Sequence, residues 1–207
     1  MERVIDGPNN IEMYNAASLK IFHLLKQPTK YMPLPEHKPS LPELVQDIVK
    51  KVKEKKQKLG KFMLRLAQRS YGLLNGFVLW EIVTMQGYEN LGDALLKTGI
   101  VNIVDDKIAK ETTKKFLQEN TPKYKEHWHG QILKYKPDVV VCGGTFGAVC
   151  DTLGAEYYET STGMKWFKDP ELENCVYLRV WHPSAWRKPV CRIHDLLMIG
   201  AKEILSK

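Results

Sequence analysis

The sequence predicts an α/β fold: a single three-layer α/β/α domain over residues 1–207, with a short, mainly parallel central sheet. Two observations carry this. Short apolar runs rich in β-branched residues alternate with longer stretches of helical periodicity, the pattern of strands covered on both faces. Each run also closes on a residue that stops a strand: Pro28 after Leu24-Leu25, Gly143-Gly144 after Val139-Val140-Val141, and Pro183 after the run ending at Trp181. A chain of 207 residues is long enough to bury a real core, and it shows neither an internal repeat nor a domain boundary.

In chain order, the stretch from Glu12 to Ala17 suits a short helix, and Leu19–Leu25 suits a strand that Pro28 stops. Five prolines between positions 28 and 42 mark an irregular loop, of a length that is uncommon unless it has a role. Ser40 is placed to cap the next helix, with Glu43 closing a capping box. Leu41, Leu44, Val45, Ile48, Val49 and Val52 then recur at helical spacing. A second helical stretch runs from Phe62 to Val83 with a break expected near Asn75-Gly76, and Leu91, Ala94 and Leu95 belong to a short helix before Gly99. Ile100–Val104 reads as a buried strand. Pro122 suits the first turn of a helix reaching Lys134. Asp138–Cys142 is the clearest strand, and a helix over Thr145–Leu153 follows it. Tyr157 and Met164–Phe167 fall in short strands, Cys175–Trp181 forms the last strand, and Cys191–Leu205 forms a final helix.

Bulk properties exclude several classes. Hydrophobic residues make up 43% and charged residues 27%, ordinary proportions for a globular chain. No apolar run approaches the roughly 18–20 residues that cross a bilayer, and the amino terminus lacks a signal-peptide pattern, so no membrane partner and a cytoplasmic location are expected. Cys142, Cys150, Cys175 and Cys191 show no C-x-x-C spacing, and three of them fall in or beside apolar segments, where a thiol behaves as a small hydrophobe. His127-Trp128-His129 is a poor metal pair, because helical residues two apart do not share a face. Neither a metal nor a cofactor is expected. The net charge of +7 is concentrated: nine basic residues and one acid, Glu54, lie between Lys50 and Arg69, so that stretch carries +8 and the remainder −1. It reads either as a solvated helix face or as a landing strip for a phosphate backbone.

The strand ends are where chemistry is expected, because ligands of open α/β sheets bind beyond the carboxyl ends of the strands. Pro183 biases His182 towards an extended conformation at one such end. Lys26-Gln27-Pro28, Asn102 and Gly143-Gly144-Thr145 stand at three others.

This succession, strand–Gln-Pro, strand–Asn, strand–Gly-Gly, strand–His182-Pro183-Ser184, covers the chain from about residue 18 onward. It resembles the uracil-DNA glycosylase superfamily, in a divergent branch. Lys38-Pro39-Ser40-Leu41 is similar to that family's proline-rich, phosphate-contacting loop. The resemblance implies an enzyme that turns a damaged or deaminated nucleotide out of DNA and hydrolyses the base–deoxyribose bond. His182 would stabilise charge on the departing base. Asn102 would read the base edge through a donor and an acceptor, with Gly143 and Gly144 lining the base site. Phe22, Tyr31 or Phe77 would stack on the base. Trp186 would fill the vacated stack, and Ser184, Arg187, Pro39 and Ser40 would meet DNA, the implied partner.

One position departs from the pattern. The uracil enzymes carry an aspartate where this chain has Gln27, and an amide orients water but cannot take its proton; losing a general base costs about 10²–10⁴ in rate. Asp105 and Asp106 could supply a carboxylate from another direction. A nucleic-acid-binding homologue with weak or lost activity is therefore the competing reading. A third takes Cys142-Gly143-Gly144-Thr145-Phe146-Gly147 as a dinucleotide-binding turn, although the fingerprint needs glycine where Cys142 stands. A serine hydrolase at Ser184 lacks the G-x-S-x-G elbow.

Overall fold

The structure is a computed structural model and describes residues 6–26, 40–104, 113–183 and 189–206. Its elements in chain order are β1 (Gly7–Pro8), α1 (Ile11–Asn15), β2 (Ile21–Leu25), α2 (Leu41–Lys53), α3 (Lys61–Leu74), α4 (Trp80–Thr84), α5 (Tyr88–Leu96) and β3 (Thr98–Asn102). They continue with α6 (Lys114–Lys123), α7 (Lys125–Tyr135), β4 (Val139–Gly143), α8 (Phe146–Leu153), β5 (Tyr158–Glu159), β6 (Lys165–Lys168), β7 (Val176–Val180) and α9 (Val190–Leu205).

One sheet joins the strands in the order β1-β3-β2-β4-β7-β6-β5. Its centre, β3-β2-β4-β7, is parallel, whereas β1 on β3, β6 on β7 and β5 on β6 are antiparallel. The α/β class holds, with a parallel middle and antiparallel margins. In chain order the four parallel strands lie second, first, third, fourth across the sheet. The chain therefore changes direction between β2 and β4, the switch point at which α/β sheets offer a crevice.

Strand alternation assigns the faces. Phe22 and Leu24 of β2, Val140 and Cys142 of β4 and Tyr177 of β7 pack with Trp128 and Ile132 of α7 and Phe146 and Val149 of α8. The opposite face carries Leu25 and Ile100 against α2, α3 and α5, and Val139, Val141 and Leu178 against α9. Burial of these side chains is the main stabilising term, about 1.5–3 kcal/mol for each large one. Gly72 lets α9 approach α3 closely, since a Cβ there would lie 2.7 Å from the Met198 sulfur.

The Ser40–Glu43 capping box opens α2: Ser40 N–H donates to Glu43 Oε2 at 2.7 Å and Ser40 Oγ accepts from Glu43 N–H. The break after α3 falls at Asn75-Gly76, where Gly76 takes φ +86°. Three details differ from the sequence expectation. β3 begins at Thr98 and includes Gly99, and the two-residue β1 was not anticipated. Pro122 lies near the end of α6, which Thr113 caps by accepting the Phe116 N–H, so the proline ends one helix instead of starting the next. The Thr121 carbonyl, at the end of α6, accepts from the Trp128 indole N–H at 3.0 Å. Cys142, Cys150 and Cys175 are buried and Cys191 is exposed.

Candidate functional site

The register brings the carboxyl ends of the parallel strands level: Leu25 pairs Asn102, Leu24 pairs Cys142, and Gly143 pairs Val180. Pairing persists one step beyond the strands, where Ile103 N–H donates to the Leu25 carbonyl at 2.8 Å and Gly144 N–H to the Val180 carbonyl at 2.9 Å. The edge is rigidly staked before any loop begins.

At this edge Lys26, Gly144 and His182 converge. Gly144 has φ +75°, a conformation open to glycine, and a Cβ on it would lie 3.2 Å from Lys26 Cε and 3.5 Å from His182 Cβ. Gly143 is as confined, with Leu25 Cδ2 2.9 Å and Pro183 Cδ 3.4 Å from its Cβ position. Both glycines thus permit backbone and side chains to crowd the switch point. Thr145 follows, its hydroxyl donating to the Leu24 carbonyl at 3.1 Å.

His182 is held from the opposite side by α3. Arg69 Nη2 donates to the Trp181 carbonyl at 2.9 Å, and Arg65 Nη1 donates to the Pro183 carbonyl, so two arginines one helical turn apart grip the residues on either side of His182. Phe62, at the start of α3, sets its ring 5.8 Å from the imidazole. Arg69 is buried, its Nη1 has no hydrogen-bond partner among the described residues, and burial lowers its pKa to about 10. Burial, then Lys26 and Arg69, lower His182 to about 4. The imidazole is therefore neutral at neutral pH and surrounded by fixed positive charge. Such a group donates a hydrogen bond without adding a cation of its own, in a field that favours developing negative charge.

Asn102 is buried on the other side of β2. Its backbone N–H donates to Asp6 Oδ2 at 2.6 Å and its side-chain nitrogen to Asp6 Oδ1 at the longer 3.4 Å, which fixes the sense of the amide. Burial raises the Asp6 carboxyl, while contacts with His127 (3.4 Å) and Asn102 work against that rise. The Asp6 contact draws the Asn102 nitrogen towards β1, on the side away from His182. With β2 and β4 between them, Asn102 and Val180 stand three strand spacings apart, about 14 Å.

The structure corrects two further expectations. Phe22 is fully buried, stacked on Tyr135 and edge-on to Tyr14, with its ring against Gly99, where a Cβ would come within 2.6 Å. Alternation turns it into the α7 side of the core, so no base reaches it. Ser40 spends its hydroxyl and N–H on the Glu43 carboxylate, an acid that opposes a phosphate there. Phe77 packs in the cluster beneath α9. Gln27, Tyr31, Pro39, Asp105, Asp106, Ser184, Trp186 and Arg187 lie outside the described residues.

The basic run divides. Lys51, Lys53 and Lys56 pair with Asp47, Asp93 and Glu54, each at 2.6 Å, while Arg65 and Arg69 reach the His182 loop. Sequence reading missed the second role. Its signal was present in the spacing of two arginines four apart on a helix whose neighbours Leu66 and Leu73 face the core. The two helical histidines face different carboxylates, His127 towards Asp6 and His129 towards Asp169 at 2.9 Å.

No protein-family model matches this chain, and no characterised protein matches it either.

Proposed function

We propose that the protein binds a nucleobase turned out of DNA at the carboxyl edge of the sheet and hydrolyses its bond to deoxyribose, as a divergent relative of the uracil-DNA glycosylases. The observation that supports this best is the neutral His182 imidazole beside Lys26, in a backbone that Arg65 and Arg69 hold at the carbonyls of Pro183 and Trp181. Breaking a glycosidic bond leaves negative charge on the departing base, and a preorganised donor in a desolvated positive field stabilises that charge as it forms. The strand order second-first-third-fourth and the motif order around the sheet edge agree with the same reading. In it Gln27 positions water, and Asn102, its amide nitrogen turned to Asp6 and away from His182, meets the base through its oxygen alone.

Gln27 also supports a second reading, a binding homologue that keeps the base site but has lost most turnover. One experiment separates them. Oligonucleotides carrying uracil, hypoxanthine or other altered bases are incubated with the protein, and abasic sites are scored by strand scission in alkali. Cleavage that falls about 10²–10³-fold in His182→Ala supports the enzyme. Salt-sensitive DNA binding with no abasic product across the panel supports the binding homologue, and no binding at low salt rejects both.

A further inference from the structure

Beyond His182 the sheet edge opens into a cleft of about 800 Å³ between the start of α8, the turn joining β5 to β6, and α9. We propose that this cleft is a channel for single-stranded nucleic acid and takes the nucleotides next to the one held at His182. The inference rests on the reading of His182 as a nucleobase site and adds the form of the substrate.

Three features carry it. The first is size: the volume lies in the upper range of pockets that enclose a whole drug-sized ligand, so a single base at His182 leaves most of it empty. The second is the character of its walls. Trp181 and Tyr157 are about half exposed, at 50% and 51%, and both line the cleft. Lys165 sets the Tyr157 ring in place, with Nζ 4.0 Å from the centroid and 2.9 Å from the hydroxyl. Rings presented this way stack on bases of any sequence, but only on bases that are not already paired within a duplex.

The third feature is charge. Among the described lining residues, Lys26, Lys165 and Arg179 face a single carboxylate, Asp151, and Lys165 is in addition paired with Glu159 at 3.3 Å. Arg179 is the exposed position of β7, whose other residues are buried, and it makes no hydrogen bond or ion pair among the described residues. Lys165 and Arg179 follow directly on the antiparallel Trp166–Leu178 pair, so the two cations leave the sheet side by side. A central strand that places Arg179 beside Lys165, in a concavity continuous with His182, suits the phosphates of a strand running past it.

The test uses a fluorescein-labelled oligothymidylate, which carries no altered base, and the same length as a duplex with oligodeoxyadenylate. Anisotropy titrations are run over a salt series. The single strand is expected to bind more tightly than the duplex. Tyr157→Ala is expected to weaken single-strand binding roughly five- to 150-fold. Arg179→Ala should weaken it and flatten the log–log salt dependence by about 0.7, with Arg179→Lys restoring the slope. Circular dichroism confirms that each variant is folded. Equal affinity for single strand and duplex, or wild-type binding by folded Tyr157→Ala and Arg179→Ala, overturns the channel, as does failure to bind either probe. Abasic product alongside that result overturns the channel alone and leaves the glycosylase reading standing. Losses in the two variants as expected, with no abasic product from any altered base, sustain the channel and overturn the catalytic reading.

Discussion

Arg69 Nη2 lies 2.9 Å from the carbonyl oxygen of Trp181, which ties the middle of α3 to the residue before His182. Among the described residues no carboxylate pairs with the guanidinium, and the charged group that acts on it is another cation, Arg65. A buried charge arranged like this holds a loop and sets a local potential at the same time.

Arg69→Met should therefore do two separable things. Loss of the donor leaves the Trp181 carbonyl underserved, a cost of about 1–3 kcal/mol, offset in part because a desolvated charge is also removed. The His182 pKa should rise from about 4 towards its ordinary value, since one of the cations that lower it is gone. Urea denaturation reads the first effect and an NMR titration of the imidazole the second. An unmoved His182 titration would show that Arg69 is not felt at the imidazole.

Gly144→Ala should destabilise the protein by about 1–2 kcal/mol from the backbone conformation alone. The added methyl also meets Lys26 Cε at 3.2 Å and His182 Cβ at 3.5 Å, so the two side chains must part. Base binding should weaken by more than stability does. Paired thermal-unfolding and ligand titrations compare the losses, and equal losses would argue against Gly144 as part of the site.

Acid should unfold the protein earlier than its carboxylates require. His182 and His23 are held neutral in the fold, at about 4 and about 3, with burial the first cause in each. The unfolded chain takes up these protons near pH 6.5 and the folded chain does not. Stability is therefore fully present above that value and falls as pH drops from 6.5 towards 4, at up to about 1.4 kcal/mol per unit for each group. Asp6, whose carboxyl is raised by burial, acts oppositely, costing stability as pH rises through its folded pKa. Denaturant midpoints measured from pH 4 to 8 should rise over the histidine window, and a His23→Gln variant should flatten that rise.

Asp6→Ala should cost about 1–3 kcal/mol, because it leaves the buried Asn102 N–H unpaired. It also releases the Asn102 amide, which should blunt discrimination between bases more than it slows turnover on the preferred one. Competition between two altered bases in one reaction measures this. Unchanged discrimination would remove Asn102 from the role of reader.

How far the sequence carried the fold can be seen at particular residues. The ends of β2, β4 and β7 were legible because proline and glycine stop strands for local reasons, and so was the α2 cap; β3, which no proline or glycine closes, ends at Asn102, two residues before the expected Val104. Phe22 was misassigned because alternation tells which residues share a face but not which face meets a ligand. Arg65 and Arg69 were hidden in a charge run, since their partners are carbonyls more than a hundred residues away and leave no local trace. The Asp6–Asn102 contact depends on the two-residue β1, too short for any periodicity to reveal.

The antiparallel margin of the sheet has an evolutionary consequence. β5 and β6 are joined by a short turn and need no crossover, unlike the parallel strands at the centre. Insertions or exchanges in that hairpin remodel one wall of the cleft without rethreading the strands that carry His182 and Gly144. The margin is thus one local module that can vary in length and composition while the parallel strands that position His182 and Gly144 stay as they are.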